Sequence, residues 1–145
     1  MRTKDFMARL DHKRIVDAIA AAEKKTSGEI RVFVQRGEVA DDPLPFAEKK
    51  FLELGMEKTA ERNAVLILIA PRAQKFAVVG DEGIHKKCGA EFWEPLVATM
   101  RGHFQREEFT GALVEAIVTA GDVLAEHFSR ASDDRNELSD EVVEG

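Results

Sequence analysis

The stretch Gly80-Asp81-Glu82-Gly83 sets two adjacent carboxylates between glycines, directly after the strand-like run Lys75–Val79. Such a pair could end the strand as a solvated turn, cradle a phosphate, act as a catalytic pair, or supply half of a cation site. The cation reading needs more oxygen donors within reach. Glu29 and Asn63 are the candidates, because each opens another strand-like run. Three carboxylates and an amide oxygen are hard ligands, suited to Ca2+ first and Mg2+ second. Crowded together without a cation, carboxylates repel one another and their pKa values rise. An Asp-Glu pair between glycines is also ordinary turn chemistry.

Whether these donors meet depends on the elements that carry them. In EIRVFVQR (29–36), Ile30, Val32 and Val34 fall on one face and Arg31, Phe33 and Gln35 on the other, the alternation of a strand. NAVLILIA (63–70) is apolar on both faces, which predicts an interior strand covered on both sides. Pro71–Gln74 is too short for a crossover, so Lys75–Gly80 must return antiparallel as a hairpin. Between the first two strands, Asp41-Asp42-Pro43 reads as the cap of a helix. Its stripe is Leu44, Ala47, Phe51 and Leu54, and Gly55 ends it. A strand-helix-strand connection makes these two strands parallel, with a right-handed crossover. Parallel pairing and the hairpin together put Glu29, Asn63, Asp81 and Glu82 on one edge of the sheet.

The remaining elements are helices. Asp11 caps one that runs to about Lys25, stapled by Leu10 and Ile15 and buried through Ile15, Ile19 and Ala22. Glu91 to Phe104 repeats through Phe92, Leu96 and Met100. Thr110 caps a long helix buried through Leu113, Ile117, Ala120, Leu124 and Phe128. The order α-β-α-β-β-α-α predicts an α/β fold, a mixed sheet with helices on both faces. A chain of 145 residues defaults to one domain, here 1–130, followed by a mobile or loosely docked acidic tail over 131–145.

Composition removes several function classes. Net charge is −6 and uneven: residues 1–36 hold nine Lys/Arg against five Asp/Glu, and 107–145 hold two against eleven. Nucleic-acid binding calls for clustered basic residues, and only short pairs such as Lys49-Lys50 and Lys86-Lys87 occur. No apolar run approaches the roughly 20 residues of a membrane span. The start of the chain lacks the apolar segment of a secretory signal, and a single cysteine, Cys88, fits a reducing compartment. The expected setting is cytoplasmic. Glycine spacing after Gly80 puts Glu82 and His85 where a dinucleotide fingerprint needs glycines. Cys88 has Glu94, not arginine, six residues on, and the histidines His12, His85, His103 and His127 are too dispersed for a zinc set. Asp133, Asp134, Asn136 and Glu137 suggest a calcium loop but lack its central glycine.

Four segments taken in order, TSGEIRVFV (26–34), KTAERNAVLILIA (58–70), KFAVVGDEGIHKK (75–87) and EFWEPL (91–96), resemble the TPM domain family. That family includes thylakoid-lumen phosphatase-like proteins, a photosystem II repair factor and a modulator of acetylcholine receptors. The tail NELSDEV (136–142) is similar to that of small soluble bacterial members. The resemblance implies an α/β/α sandwich, divalent-cation binding, and an acid phosphatase activity associated with the plant branch. It carries over to Asn63 and to Gly80-Asp81-Glu82-Gly83, whereas Glu29 enters by sheet geometry alone. The leading expectation is a module that binds Ca2+, or Mg2+, at Asp81, Glu82, Asn63 and Glu29. The alternatives are a metal-assisted phosphomonoesterase, and a metal-free domain whose acidic rim or tail binds a basic protein partner.

Overall fold

The structure, a computed structural model, describes residues 1–37, 39, 41–89, 91–129 and 142–144. The elements in chain order are α1 (Thr3–Ala8), α2 (His12–Glu23), β1 (Glu29–Val34), α3 (Leu44–Glu53), β2 (Ala64–Ala70) and β3 (Lys75–Gly80). They continue with α4 (Glu82–Cys88), α5 (Glu94–Gln105), α6 (Phe109–His127) and β4 (Val143–Glu144). The sheet is four-stranded in the order β3-β2-β1-β4. β1 runs parallel to β2 and to β4, while β2 and β3 are antiparallel. The hairpin register sets Ile69 opposite Phe76, as expected for a turn over Pro71–Gln74.

β2 shows why a run without alternation becomes an interior strand. All seven of its residues are buried, because both faces of the sheet are covered. On one face Ile30, Val32, Val34, Val65, Ile67, Ile69 and Val78 pack with apolar residues of α1, α2, α4, α5 and α6. On the other, Phe33, Ala64, Leu66, Leu68 and Ala77 meet Ala47 and Phe51 of α3 and Met56. Each fully buried aliphatic side chain contributes about 2 kcal/mol, so the central strand anchors the fold. The α/β/α layering expected from the sequence is present, with α3 the one helix on its face among the described residues.

Local chemistry sets the helix starts. The Asp11 carboxylate accepts from the Arg14 backbone N–H at 3.2 Å and caps α2. Asp42 Oδ1 accepts from Leu44 N at 3.0 Å, and Pro43 stands at the cap position of α3. The expected Thr110 cap is not what the structure shows. α6 begins at Phe109 after Glu108, and the Thr110 hydroxyl accepts from the Asp11 backbone N–H at 3.0 Å, tying α6 to the start of α2. Two short helices, α1 and α4, were not expected. The acidic tail proposed for 131–145 lies outside the described residues except at 142–144, where Val143 and Glu144 pair with Phe33 and Val34.

Candidate functional site

Gly80-Asp81-Glu82-Gly83 is not a free turn. Asp81 is the N-cap of α4, and its Oδ1 accepts from the Glu82 backbone N–H at 2.8 Å. The flanking glycines answer to long-range contacts. A Cβ on Gly83 would stand 2.2 Å from the Glu61 carbonyl oxygen and 2.6 Å from that of Arg62. With hydrogen there instead, the Gly83 N–H donates to the Arg62 carbonyl at 2.8 Å. A Cβ on Gly80 would stand 2.5 Å from the Phe92 ring. Gly83 therefore lets the first turn of α4 press onto the loop that leads into β2, while Gly80 makes room for the Phe92 ring.

That contact brings Arg62 onto the two carboxylates. Arg62 Nε donates to Asp81 Oδ2 at 2.7 Å and Nη2 to Asp81 Oδ1 at 2.9 Å, a two-pronged ion pair. Its Nη1 reaches Glu82 Oε1 at 3.3 Å. The Asp81 side chain is 6% exposed, against 39% for Arg62 and 56% for Glu82, so a near-buried carboxylate is covered by a cation from the solvent side. The Asp81 hydrogen bonds push the Arg62 pKa up, so the guanidinium keeps its charge. Arg62 holds φ at +52°, a left-handed conformation uncommon for a side-chain-bearing residue.

Asn63 belongs to an adjoining network. It is buried, its Nδ2 donates to Ser27 Oγ at 3.0 Å, and its backbone N–H donates to Thr59 Oγ1 at 3.3 Å. The Ser27 hydroxyl donates to Glu61 Oε1 at 2.8 Å. Glu29 is also buried, on the same sheet edge, in register with Ala64. The Asp81 backbone N–H donates to the Ala64 carbonyl from the other side of β2. Glu29 and Asp81 thus ride on strands either side of β2, which spaces their backbones by roughly 10 Å, twice the inter-strand distance.

All four expected residues lie on one rim, in three places. Asp81 and Glu82 converge on Arg62, Asn63 joins Ser27 and Glu61, and Glu29 lies across β2. Arg62 directly precedes Asn63 in the chain, yet nothing local foretells its engagement, and sequence reasoning missed Ser27, Thr59 and Glu61. Ser27 was within reach of the same argument, because a residue two before Glu29 must lie on the edge that Asn63 occupies. Among the described residues, no group of three or more His, Cys, Asp or Glu gathers round one point as a metal set. The donor chemistry of Asp81 and Glu82 fits a hard cation, but the position facing both is filled by the guanidinium. His85 is exposed, with its ring edge-on to Trp93 at 5.6 Å. Cys88 is half-buried, and burial pushes its thiol pKa up, away from thiolate chemistry. Among the described residues, no helix is long and apolar enough to cross a membrane.

Comparison with known proteins agrees with this architecture. The family model of the TPM domain matches residues 2–123. A solved structure, the NMR structure of BA42 protein from the psychrophilic bacterium Bizionia argentinensis, is similar at 36% sequence identity and a TM-score of 0.85. The match covers 92% of each chain. No curated protein matches. With the family model spanning most of the chain and the fold shared with a bacterial relative over nearly its whole length, this chain belongs to the TPM domain family.

Proposed function

We propose that this chain is a cytoplasmic TPM-domain module that binds a divalent cation, Ca2+ in preference to Mg2+, at the Asp81-Glu82 rim. The observation that carries the reading is the convergence of a near-buried and an exposed carboxylate on a single positive charge, Arg62. The rim is built to face a cation, and the protein supplies one from its own chain. A divalent ion would take the place of the guanidinium, with Asp81 and Glu82 as ligands and Asn63 and Glu29 as the further oxygen donors on that edge. Arg62 is more than a third exposed and enters from a loop, so its side chain can swing into solvent while the carboxylates stay on α4. The phosphatase reading has less support, because the arginine at this rim is engaged by carboxylates and the Cys88 thiol is held protonated.

The exchange makes a signed prediction. Ca2+ at one hundred times Kd stabilises the folded state by about 2.7 kcal/mol, a rise in Tm of roughly 6–10 °C for a domain of this size. Asp81→Asn should abolish most of that rise. Arg62→Gln should tighten Ca2+ binding, because the internal competitor is gone. Thermal melts in Ca2+, Mg2+ and NaCl at matched ionic strength, with amide shifts followed at 59–63 and 80–84, test this. Equal small effects of Ca2+ and NaCl, unaltered by either substitution, would reduce the rim to a structural ion pair.

A further inference from the structure

We propose that the opposite end of the sheet holds a binding site for a small carboxylate with a compact apolar body, of the class of medium-chain fatty acids. A cavity of about 480 Å³ opens beside the β2-β3 turn, between the end of the hairpin and the corner of α5 and α6. Its volume falls within the range of small-ligand sites, about 300–1,000 Å³. Phe6, Phe76, Phe104 and Phe109 line it. Their rings meet at tilted angles in a chain: Phe76 to Phe104 at 5.2 Å, Phe104 to Phe109 at 6.0 Å, and Phe109 to Phe6 at 5.0 Å. Phe76, Phe104 and Phe109 are partly exposed and leave apolar surface that a ligand can cover, with Phe6 buried behind them.

The polar lining selects the head group. Arg101 and Gln105 stand one turn apart on α5, either side of Phe104, and both line the cavity. Both are exposed, and neither side chain makes a hydrogen bond or ion pair with a described residue. Lys75, paired with Asp41 at 3.3 Å, also lines the cavity, and Glu107 is the one carboxylate among the described lining residues. Glu107 is met by Arg9 at 3.3 Å, and that guanidinium also lies 4.7 Å from the centre of the Phe109 ring. The balance at the mouth favours an anion: Arg101 supplies a two-pronged donor for a carboxylate, and Gln105 an amide beside it. An apolar tail would lie along the phenyl rings. The site is roughly 20 Å from the Asp81 rim, the length of β2, and does not depend on the cation reading.

The test uses octanoate as probe and 1-octanol as its uncharged counterpart, followed by amide shifts of the full chain. Octanoate should give saturable shifts at 74–76, 101–105 and 109, with none at 80–84. Arg101→Gln should weaken octanoate about tenfold, to the level at which octanol binds the unaltered chain. Gln105→Trp, at an exposed position where the chain can fold unchanged, should fill the mouth and remove the shifts. No saturable shifts with octanoate would overturn the proposal. So would equal binding of octanol and octanoate that ignores Arg101→Gln, and so would shifts centred on Arg62 and Asp81.

Discussion

The two ends of the sheet are built on opposite terms. At the end where β1 and β2 begin, polar groups are drawn inward and matched: a two-pronged ion pair covers Asp81, and Asn63, Ser27 and Glu61 bond in series. Backbone is pressed on backbone there, with no room for a methyl group at Gly83. At the hairpin end, aromatic rings surround open volume and two donors face outward without partners among the described residues. Polar matching demands fixed geometry, since a buried carboxylate that loses its partner is costly. Apolar contact is non-directional and tolerates a gap. One end is therefore a fixed frame around a matched ion pair, and the other keeps open volume among its aromatic rings.

The sharpest way to break this contrast is to add a methyl group to the tight end. Gly83→Ala should destabilise the fold by on the order of 3 kcal/mol, because its Cβ meets carbonyl oxygens of the main chain and not a side chain that can turn away. Denaturant unfolding would measure it. A cost below about 1 kcal/mol would mean that the 61–62 loop yields, and the rim would no longer count as the rigid end.

The open end should respond with the opposite sign. Gln74, exposed in the hairpin turn, holds φ at +55°. Glycine adopts that conformation without strain, so Gln74→Gly should stabilise by about 0.5 kcal/mol after its greater unfolded-state entropy is counted. A loss of stability would show that the Gln74 side chain contributes contacts that outweigh its backbone.

The smallest effect concerns the α5-α6 corner that frames the cavity. His103 Nε2 meets Glu115 Oε2 and its Nδ1 meets Glu108 Oε1, both at 2.9 Å, with Glu115 the larger influence in raising the imidazole pKa. A raised folded pKa means stabilisation present in full below the unfolded value of about 6.5 and lost as pH rises through the higher folded value. Melting temperature should therefore decline modestly from pH 6 upward, and His103→Gln should flatten that decline. An unchanged slope in the variant would place the pH response elsewhere.

The sheet was legible in the sequence because its signals are periodic and local. β1 alternates, β2 is apolar throughout, and four residues between β2 and β3 permit only a hairpin. The rim followed from the same topology, and so all four expected residues lie on it. What escaped was tertiary in origin. α4 has seven residues with only Ile84 buried, too few to show a period, and Gly83 resembled a turn residue because the backbone it must admit is some twenty positions earlier. The Arg62-Asp81 pair likewise depends on a loop conformation, with φ positive at Arg62, that no nearby pattern announces. α1 was missed because six residues with Phe6 as the main buried apolar group carry little periodic signal.

The short strand β4 bears on how separate copies of this chain treat one another. A sheet margin with open N–H and C=O groups is a template on which another chain can add a strand. Val143 and Glu144 occupy the margin of β1 at Phe33 and Val34, so a newcomer must displace them to pair there. The far margin, β3, is guarded differently: it opens on Lys75 and runs out into Asp81 and Glu82. One border of the sheet is covered at its Phe33-Val34 end by a strand and the other is flanked by charge, two unlike defences against the edge-to-edge growth that leads to aggregation.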